Sequence, residues 1–352
     1  MMSKVVVGMS GGVDSSVAAA LLKEQGYDVV GMTIRVKPVD GSNDDIRVAQ
    51  AVAKKLGIAH HTVDCRELFD KKVVEHFCSE YSRGRTPNPC VRCNEHVKFA
   101  ALLKKARELG AEFVATGHYA RIERDGESAK YQLKKGRDSG KDQSYFLYFL
   151  KQDMMGRILL PLGEMKKEKV RDIARALGLA SADREESQDV CFVARGDYRG
   201  FVGARMPQAG EPGPILDRQG NELGRHRGIL SYTVGQRKGM GIAAEEPLYV
   251  TGIDAGRNAI IVGCKADVYG DELVASNLNW VEFDTLEQPI EVKAKIRYRH
   301  REGDAVVTPI SSGEVNVKFA QLQMAITPGQ AVVFYKGSTV VGGGTIERAD
   351  GI

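Results

Sequence analysis

Residues 8 to 16 read Gly8-Met9-Ser10-Gly11-Gly12-Val13-Asp14-Ser15-Ser16, set between the apolar run Val5-Val6-Val7 and the helix-patterned stretch Ala18-Ala19-Ala20-Leu21-Leu22. A strand that ends in a glycine-rich turn and feeds a helix aims several backbone N–H groups, and the positive end of the helix dipole, at one spot. Such a spot binds phosphate. Ser10, Ser15 and Ser16 add hydroxyls, while Gly11 and Gly12 allow torsions closed to other residues and a close anion approach. The stretch lacks the lysine of GxxxxGK[ST], which separates it from the loop of kinases and GTPases. Read blandly, it is an ordinary glycine-rich strand-to-helix turn.

Working outward, 352 residues at 43% hydrophobic content provide for two or three domains, each with its own core. No apolar run reaches the roughly 18 residues of a membrane span. Met1-Met2-Ser3-Lys4 leads directly into a strand with no secretory apolar segment, so a cytoplasmic protein with no membrane partner is expected. A net charge of +4 permits a nucleic-acid partner without arguing for one. Six cysteines are too sparse for a disulfide scaffold, so their spacing is what matters.

The first half alternates strand and helix patterns. Strands are expected at Lys4 to Gly8, Asp28 to Ile34, His60 to Val63 and Glu112 to Thr116. Helices are expected at Ser15 to Gln25, Asp44 to Leu56, Arg66 to Tyr81, Asn94 to Leu109 and Lys166 to Leu179. This alternation predicts an α/β, doubly wound parallel sheet, with ligands at the C-terminal strand ends such as Val7-Gly8 and Ala115-Thr116-Gly117. Beyond about residue 200, Gly and Pro punctuate short β-rich runs, including Val292 to Tyr298, Val315 to Phe319 and Ala331 to Tyr335, with almost no helix. The expected domains are 1–200, a small central mostly-β domain over 201–270, and a C-terminal β-barrel over 271–352.

A second constellation is Thr86-Pro87-Asn88-Pro89-Cys90-Val91-Arg92-Cys93-Asn94. Two prolines stiffen the loop, and Asn94 reads as the cap of the following helix, putting Cys93 at a helix start where the dipole lowers a thiol pKa. Taken alone, one CxxC is compatible with a redox pair, half a zinc site or chance. Cys191, in Ser187-Gln188-Asp189-Val190-Cys191-Phe192, stands just before the change of texture, and a buried small hydrophobe would explain it equally well. Cys65, Cys78 and Cys264 lie in apolar patterns and are expected in cores.

The loop Gly8 to Ser15 resembles the SGGxDS loop of ATP pyrophosphatases (PP-loop enzymes), which cleave ATP between the α and β phosphates. Further segments follow: Thr86 to Phe99 as TPNPCxxCNxxxKF, Ala115-Thr116-Gly117-His118-Tyr119, Lys141-Asp142-Gln143-Ser144, Ser187 to Phe192, Gly235-Gln236-Arg237-Lys238-Gly239, Arg297-Tyr298-Arg299 and Thr327-Pro328-Gly329-Gln330. Their order across the whole chain is similar to that of the tRNA-specific 2-thiouridylases, the MnmA family. The resemblance implies ATP-dependent thiolation of carbon 2 of the wobble uridine in tRNAs for Lys, Glu and Gln.

Under that resemblance, Gly8, Met9, Ser10, Gly11, Gly12, Val13, Asp14 and Ser15 hold ATP with Mg²⁺, and Ile34 and Gly117 border the nucleotide. Cys191 matches the persulfide carrier and Cys93 the nucleophile that resolves it, leaving a disulfide between them for a reductant to reopen. Asn88, Pro89 and Cys90 match the residues that meet the target base. His118, Lys141, Asp142, Gln143, Arg297, Tyr298 and Gln330 match tRNA contacts, with His118 read as a backbone or ribose contact rather than a base. An upstream sulfur-donor protein is implied as a partner beside the tRNA anticodon stem-loop. Many members carry Asp where this chain has Cys90. The three thiols Cys90, Cys93 and Cys191 therefore also match a set-up in which they ligate an iron–sulfur cluster. The link Arg35 to Asn43 is shorter than in other members.

Without the family, Lys295-Ile296-Arg297-Tyr298-Arg299-His300-Arg301 reads as a strand with alternate basic side chains on one face for phosphates, or as a solvated edge strand protected by charge. Single-stranded anticodon loops make extrusion of a base inexpensive. Two other classes compete with the thiolase reading. A PP-loop ligase acting on a small molecule leaves the C-terminal β domains without a task, and a nonenzymatic zinc-containing RNA-binding protein leaves the nucleotide loop idle.

Overall fold

The computed structural model describes residues 2–36, 44–179, 181–182, 190–193, 197–311 and 313–349. The chain divides into two compact units, Met1–Val73 with Cys90–Gln188 and Ser338–Val340, and Val74–Pro89 with Asp189–Gly337 and Val341–Ile352.

The first unit is built on a five-stranded sheet of β1 (Lys4–Gly8), β2 (Asp28–Arg35), β3 (Ala59–Asp64), β4 (Phe113–Ala115) and, after the hairpin β5 (Ala120–Arg124) and β6 (Tyr131–Lys135), β7 (Ile158–Leu159). Its order is β3-β2-β1-β4-β7, and every pairing is parallel. Val5, Val6 and Val7 have no exposed surface, as a strand covered on both faces requires. The helix Val13–Glu24 buries Val17, Ala18, Ala19 and Leu22 in one core with Val5, Val7, Val52, Leu162 and Val170. Because the order reverses between β1 and β4, the loops after these neighbours meet at the switch point where doubly wound sheets bind ligands.

The expected helix over Arg66 to Tyr81 appears as Arg66–Phe69, a wide π-type turn over Asp70–Val74, and Glu75–Ser82. A second π-type turn, Asn94–Phe99, lies inside a continuous helical run from Pro89 to Glu108. Such turns cluster at functional sites.

The second unit holds two sheets. β8 (Gly213–Leu216), β9 (Glu222–His226), β10 (Tyr249–Asp254) and β11 (Ala259–Gly263) form a sheet of order β10-β11-β8-β9. β12 (Tyr269–Trp280), β13 (Ile290–Lys295), β14 (Gly303–Ser311), β15 (Glu314–Met324), β16 (Ala331–Lys336) and β17 (Thr339–Ala349) run in the order β12-β15-β14-β13-β16-β17. Pairing of β12 with β17 closes them into a barrel. Inward residues such as Val292, Ala294, Val307, Val317, Phe319 and Phe334 fill the interior, so it is a packed core and not a channel. The helix Tyr198–Arg205, capped by the Asp197 carboxylate on the Gly200 N–H, was not expected from the sequence. Cys65 and Cys78 are buried as expected, but Cys264 is exposed, because β11 ends at Gly263 and the chain turns outward there.

Candidate functional site

At the end of β1, Met9 donates its N–H to the Met32 carbonyl at 2.8 Å, and its own carbonyl accepts from Thr33 Oγ1 at 2.8 Å. Thr33 is held in turn by His60 Nε2 at 2.9 Å. The loop is thereby moored to β2, whose far end carries Ile34. Ser15 Oγ accepts from the Ser10 N–H at 3.1 Å and lies 3.1 Å from the Gly12 carbonyl, to which Ser16 Oγ also donates at 2.8 Å. The hydroxyls of Ser15 and Ser16 therefore shape the turn. The first-turn amides of Val13, Asp14 and Ser15, which have no acceptor within an α-helix, are the donors left to an anion.

Gly117, after β4, abuts this loop. A Cβ there would come within 2.7 Å of the Asp14 carbonyl carbon and 2.8 Å of the Ser15 nitrogen, so only glycine allows the two switch-point loops to meet. Asp14 is fixed from the same side. Lys167 Nζ lies 2.7 Å from each of its carboxylate oxygens, and Tyr119 Oη donates to Oδ1 at 2.7 Å. Lys167 is only 7% exposed and opens the helix Lys167–Ala176, its N–H held by Asp138 at 2.9 Å. The loop has no lysine of its own, and this residue, more than 150 positions away, brings one to it. Neither Lys167 nor Tyr119 was singled out from the sequence, since nothing local marks a lysine at a helix start as buried.

His118 is half-buried, its ring stacked on Phe99 with centroids 6.0 Å apart and its Nδ1 2.7 Å from Thr116 Oγ1. Burial, with the nearby Lys98 ammonium, pushes its pKa down to about 3, so the ring is neutral at physiological pH and too weak a base to take protons there. Asp142 and Gln143 face inward. The Asp142 carboxylate accepts from the Gly136 and Ser144 N–H groups and from Ser144 Oγ, and Gln143 exchanges bonds with the Tyr119 backbone at 3.0 and 2.8 Å. The turn Lys141 to Ser144 thus braces Tyr119, and through it Asp14.

The thiols differ from expectation in one respect. Helix begins at Pro89, so Cys90 is its second residue and is exposed, whereas Cys93 lies inside the helical run and is buried. Asn94 is not a cap: it is itself helical, its Nδ2 reaches the Phe146 carbonyl at 3.4 Å, and its Oδ1 is buried without a partner. Pro89 explains the shift, because proline is well suited to the first helical position. Cys90, not Cys93, therefore holds the helix-start position.

In the second unit, Cys191 is exposed, and the adjacent Phe192 ring packs edge-on against Phe77 at 5.2 Å and near Phe201 at 5.4 Å. Ser187, Gln188 and Asp189 lie outside the described residues, as does most of the link Arg35 to Asn43. The stretch Lys295 to Arg301 is not a strand. β13 stops at Lys295 and the chain turns, with the His300 N–H on the Arg297 carbonyl at 3.0 Å. Ile296 is fully buried, so the in–out alternation of β13 runs one residue past the strand before the turn ends it, and the Arg297 guanidinium donates to the Met324 carbonyl at 3.0 Å. Lys295 Nζ sits 5.7 Å from the Tyr298 ring centre. Gln330 Nε2 donates to the Thr86 carbonyl at 2.8 Å. Among the described residues no group of three or more His, Cys, Asp or Glu side chains is placed to hold a metal ion.

A parallel sheet with a phosphate-type loop at its switch point, followed in sequence by a small β-sheet domain and a closed barrel, defines a nucleotide-binding enzyme of the PP-loop class. The chain matches the tRNA methyl transferase HUP domain over residues 3–195, the tRNA methyl transferase PRC-barrel domain over 199–264 and the aminomethyltransferase β-barrel domain over 270–346. It is 50% identical over 357 residues, 98% of each chain, to tRNA-specific 2-thiouridylase MnmA 1 of Caldanaerobacter subterraneus subsp. tengcongensis. It is 49% identical over 359 residues to tRNA-specific 2-thiouridylase MnmA of Heliobacterium modesticaldum, covering 99% of this chain and 93% of the relative. The chain belongs to the MnmA family. Among solved structures, the U34-tRNA thiolase NcsA from Methanococcus maripaludis with its [4Fe-4S] cluster is similar with a TM-score of 0.36 and 20% identity, over 58% of this chain and 64% of that one.

Proposed function

We propose that this protein is an ATP-dependent tRNA-uridine 2-sulfurtransferase acting on the wobble uridine of tRNAs for Lys, Glu and Gln. The observation that carries this reading is the loop Gly8 to Ser15 at the switch point, closed by Gly117 and joined to Lys167, in a chain that aligns end to end with tRNA-specific 2-thiouridylases.

The uracil C2 carbonyl is a poor electrophile without a leaving group, so its oxygen attacks the α-phosphate of ATP and pyrophosphate departs. The amides of Val13 to Ser15 hold phosphate oxygens, and Ile34 and Gly117 border the nucleotide. Mg²⁺, a hard cation that would neutralise phosphate charge, would be held chiefly by the phosphate oxygens, because the Asp14 carboxylate is engaged by Lys167 and Tyr119. Asn88, Pro89 and Cys90 receive the base, with Lys141, Arg297, Tyr298 and His118 directed at RNA. The terminal sulfur of a Cys191 persulfide then attacks C2 and expels AMP, leaving C2 joined to Cys191 through two sulfurs. The Cys93 thiolate attacks Cys191 Sγ, the sulfur–sulfur bond to the nucleoside breaks, and 2-thiouridine is released. A disulfide between Cys93 and Cys191 remains, which a reductant reopens. The persulfide sulfur comes from an upstream donor protein, in the cytoplasm.

The test is to measure AMP and pyrophosphate with and without tRNA, and 2-thiouridine by mass spectrometry with a persulfide donor. Nucleotide release that ignores tRNA, or tRNA-dependent release that never yields 2-thiouridine, would defeat the proposal.

A further inference from the structure

The peptide joining Met9 to Ser10, where β1 opens into the nucleotide loop, is held at both ends. Its carbonyl, on Met9, accepts from Thr33 Oγ1 at 2.8 Å, and its N–H, on Ser10, donates to Ser15 Oγ at 3.1 Å. One partner stands on β2 and the other in the first turn of the helix Val13–Glu24, so the two bonds fasten strand, loop and helix together. Met9 and Thr33 are both buried, which makes the carbonyl dependent on a protein donor. The Thr33 hydroxyl has a single proton. Because a carbonyl can only accept, that proton goes to Met9, and His60 Nε2, 2.9 Å from the same hydroxyl oxygen, carries a hydrogen and donates. A chain of donors thus runs from His60 on β3 through Thr33 on β2 to the residue that follows β1. Gly31 makes room for it, since a Cβ there would lie 2.6 Å from Met9 Sδ and 3.1 Å from His60 Cδ2.

We infer that Thr33 is a positioning residue for ATP: its hydroxyl fixes the plane of the Met9–Ser10 peptide, and so the course of the loop that receives the phosphates. This role rests on the ATP-dependent reading above. Thr33 is buried with its proton spent on Met9, so it acts through the loop and not by touching the nucleotide. The residues that follow, Gly11 at φ +75° and Gly12 in an extended conformation, have no side chain to restrict them, and an unpinned loop samples many arrangements. A ligand that needs one of these arrangements then spends binding energy on ordering the loop.

The test uses the full-length protein. Thr33→Val and Thr33→Ala remove the hydroxyl and Thr33→Ser keeps it; thermal melting verifies that each is folded, and alanine against serine decides the matter should the valine variant not fold. Hydrogen exchange in the peptide spanning Ser10 should rise at least about tenfold in the variants without a hydroxyl. Their ATP Kd, titrated without tRNA, should weaken roughly 3- to 10-fold, while the tRNA Kd and the single-turnover rate of AMP formation at saturating ATP stay within about twofold. Thr33→Ser should match wild type within about twofold in every measurement. An unchanged ATP Kd in a folded valine or alanine variant would overturn the inference, as would unchanged exchange at Ser10. A serine variant as weak as alanine would overturn it too, since packing and not the hydroxyl would then set the loop. If wild-type protein binds no ATP, the ATP-dependent reading is what fails, and exchange at Ser10 still decides whether Thr33 pins the loop.

Discussion

Lys167 Nζ stands 2.7 Å from both carboxylate oxygens of Asp14, joining the first residue of one helix to the first turn of another across 153 positions of sequence. The lysine side chain is 9% exposed and the aspartate 31%, so the pair is partly desolvated, and each partner leaves the other stranded if removed.

Asp14→Ala should abolish AMP formation while leaving the tRNA Kd within about threefold, because the loop serves ATP alone. It should also destabilise the protein by about 1–3 kcal/mol, less than the roughly 3–5 kcal/mol for breaking a fully buried pair, since Asp14 still reaches water. Lys167→Met should weaken ATP binding by about tenfold, and the double variant should recover part of the lost stability. Urea unfolding, ATP titration and tRNA binding check these three outcomes. Equal loss of ATP and tRNA binding in a folded Asp14→Ala protein would refute the assignment.

On the proposed route, the thiols divide activation from sulfur transfer. Cys93→Ser and Cys191→Ser should each halt 2-thiouridine formation yet still release pyrophosphate in response to tRNA, since adenylation precedes attack by sulfur. Cys191 is exposed, so a persulfide donor can reach it, whereas Cys93 is buried and should label slowly with a thiol reagent in the folded protein. A near-normal rate of thiolation in either variant would remove that thiol from the mechanism.

The sheet was readable because Val5-Val6-Val7 and the alternation after it obey the periods of a parallel strand and an amphipathic helix, and helix Asp44–Leu56 falls where the sequence places it. Gly117 stood out in the sequence as a position after a strand end, but the reason it must be glycine, the close approach to Asp14, exists only once β1 and β4 are neighbours. Lys167 and Tyr119 were not, because their roles depend on long-range packing that leaves no periodic trace. The start of helix at Pro89 and the end of β13 at Lys295 were misjudged for a different reason. In both places the local pattern was compatible with two conformations, and tertiary contacts decided between them.

His118 gives a pH dependence with a definite sign. Its folded pKa, about 3, lies below the ordinary 6.5, so the native ring stays neutral where the unfolded one takes up a proton. The stability it confers is fully present above pH 6.5 and is lost as pH falls from 6.5 toward 3, at no more than about 1.4 kcal/mol per pH unit and less for a ring that still meets solvent. His118→Gln should therefore narrow its stability gap to wild type between pH 7.5 and 5.5 in urea unfolding. A gap that widens with acid would mean that the ring is charged in the native state.

Cys90 is exposed and second in its helix, where the amide groups of the first turn favour an anion. A carboxylate fits that position as well as a thiolate does, so Cys90→Asp should leave stability within about 0.5 kcal/mol. If Cys90 only lines the base pocket, the variant should also keep persulfide-driven thiolation within about threefold of wild type. If Cys90 instead ligates an iron–sulfur cluster, replacing one of three thiolates by a harder, poorer ligand should cost most of the bound iron and the sulfide-driven activity together. Iron and sulfide analysis of anaerobically purified wild type and variant separates the two. Full thiolation by iron-free wild type eliminates the cluster, and joint loss of iron and activity in Cys90→Asp eliminates the persulfide route proposed here.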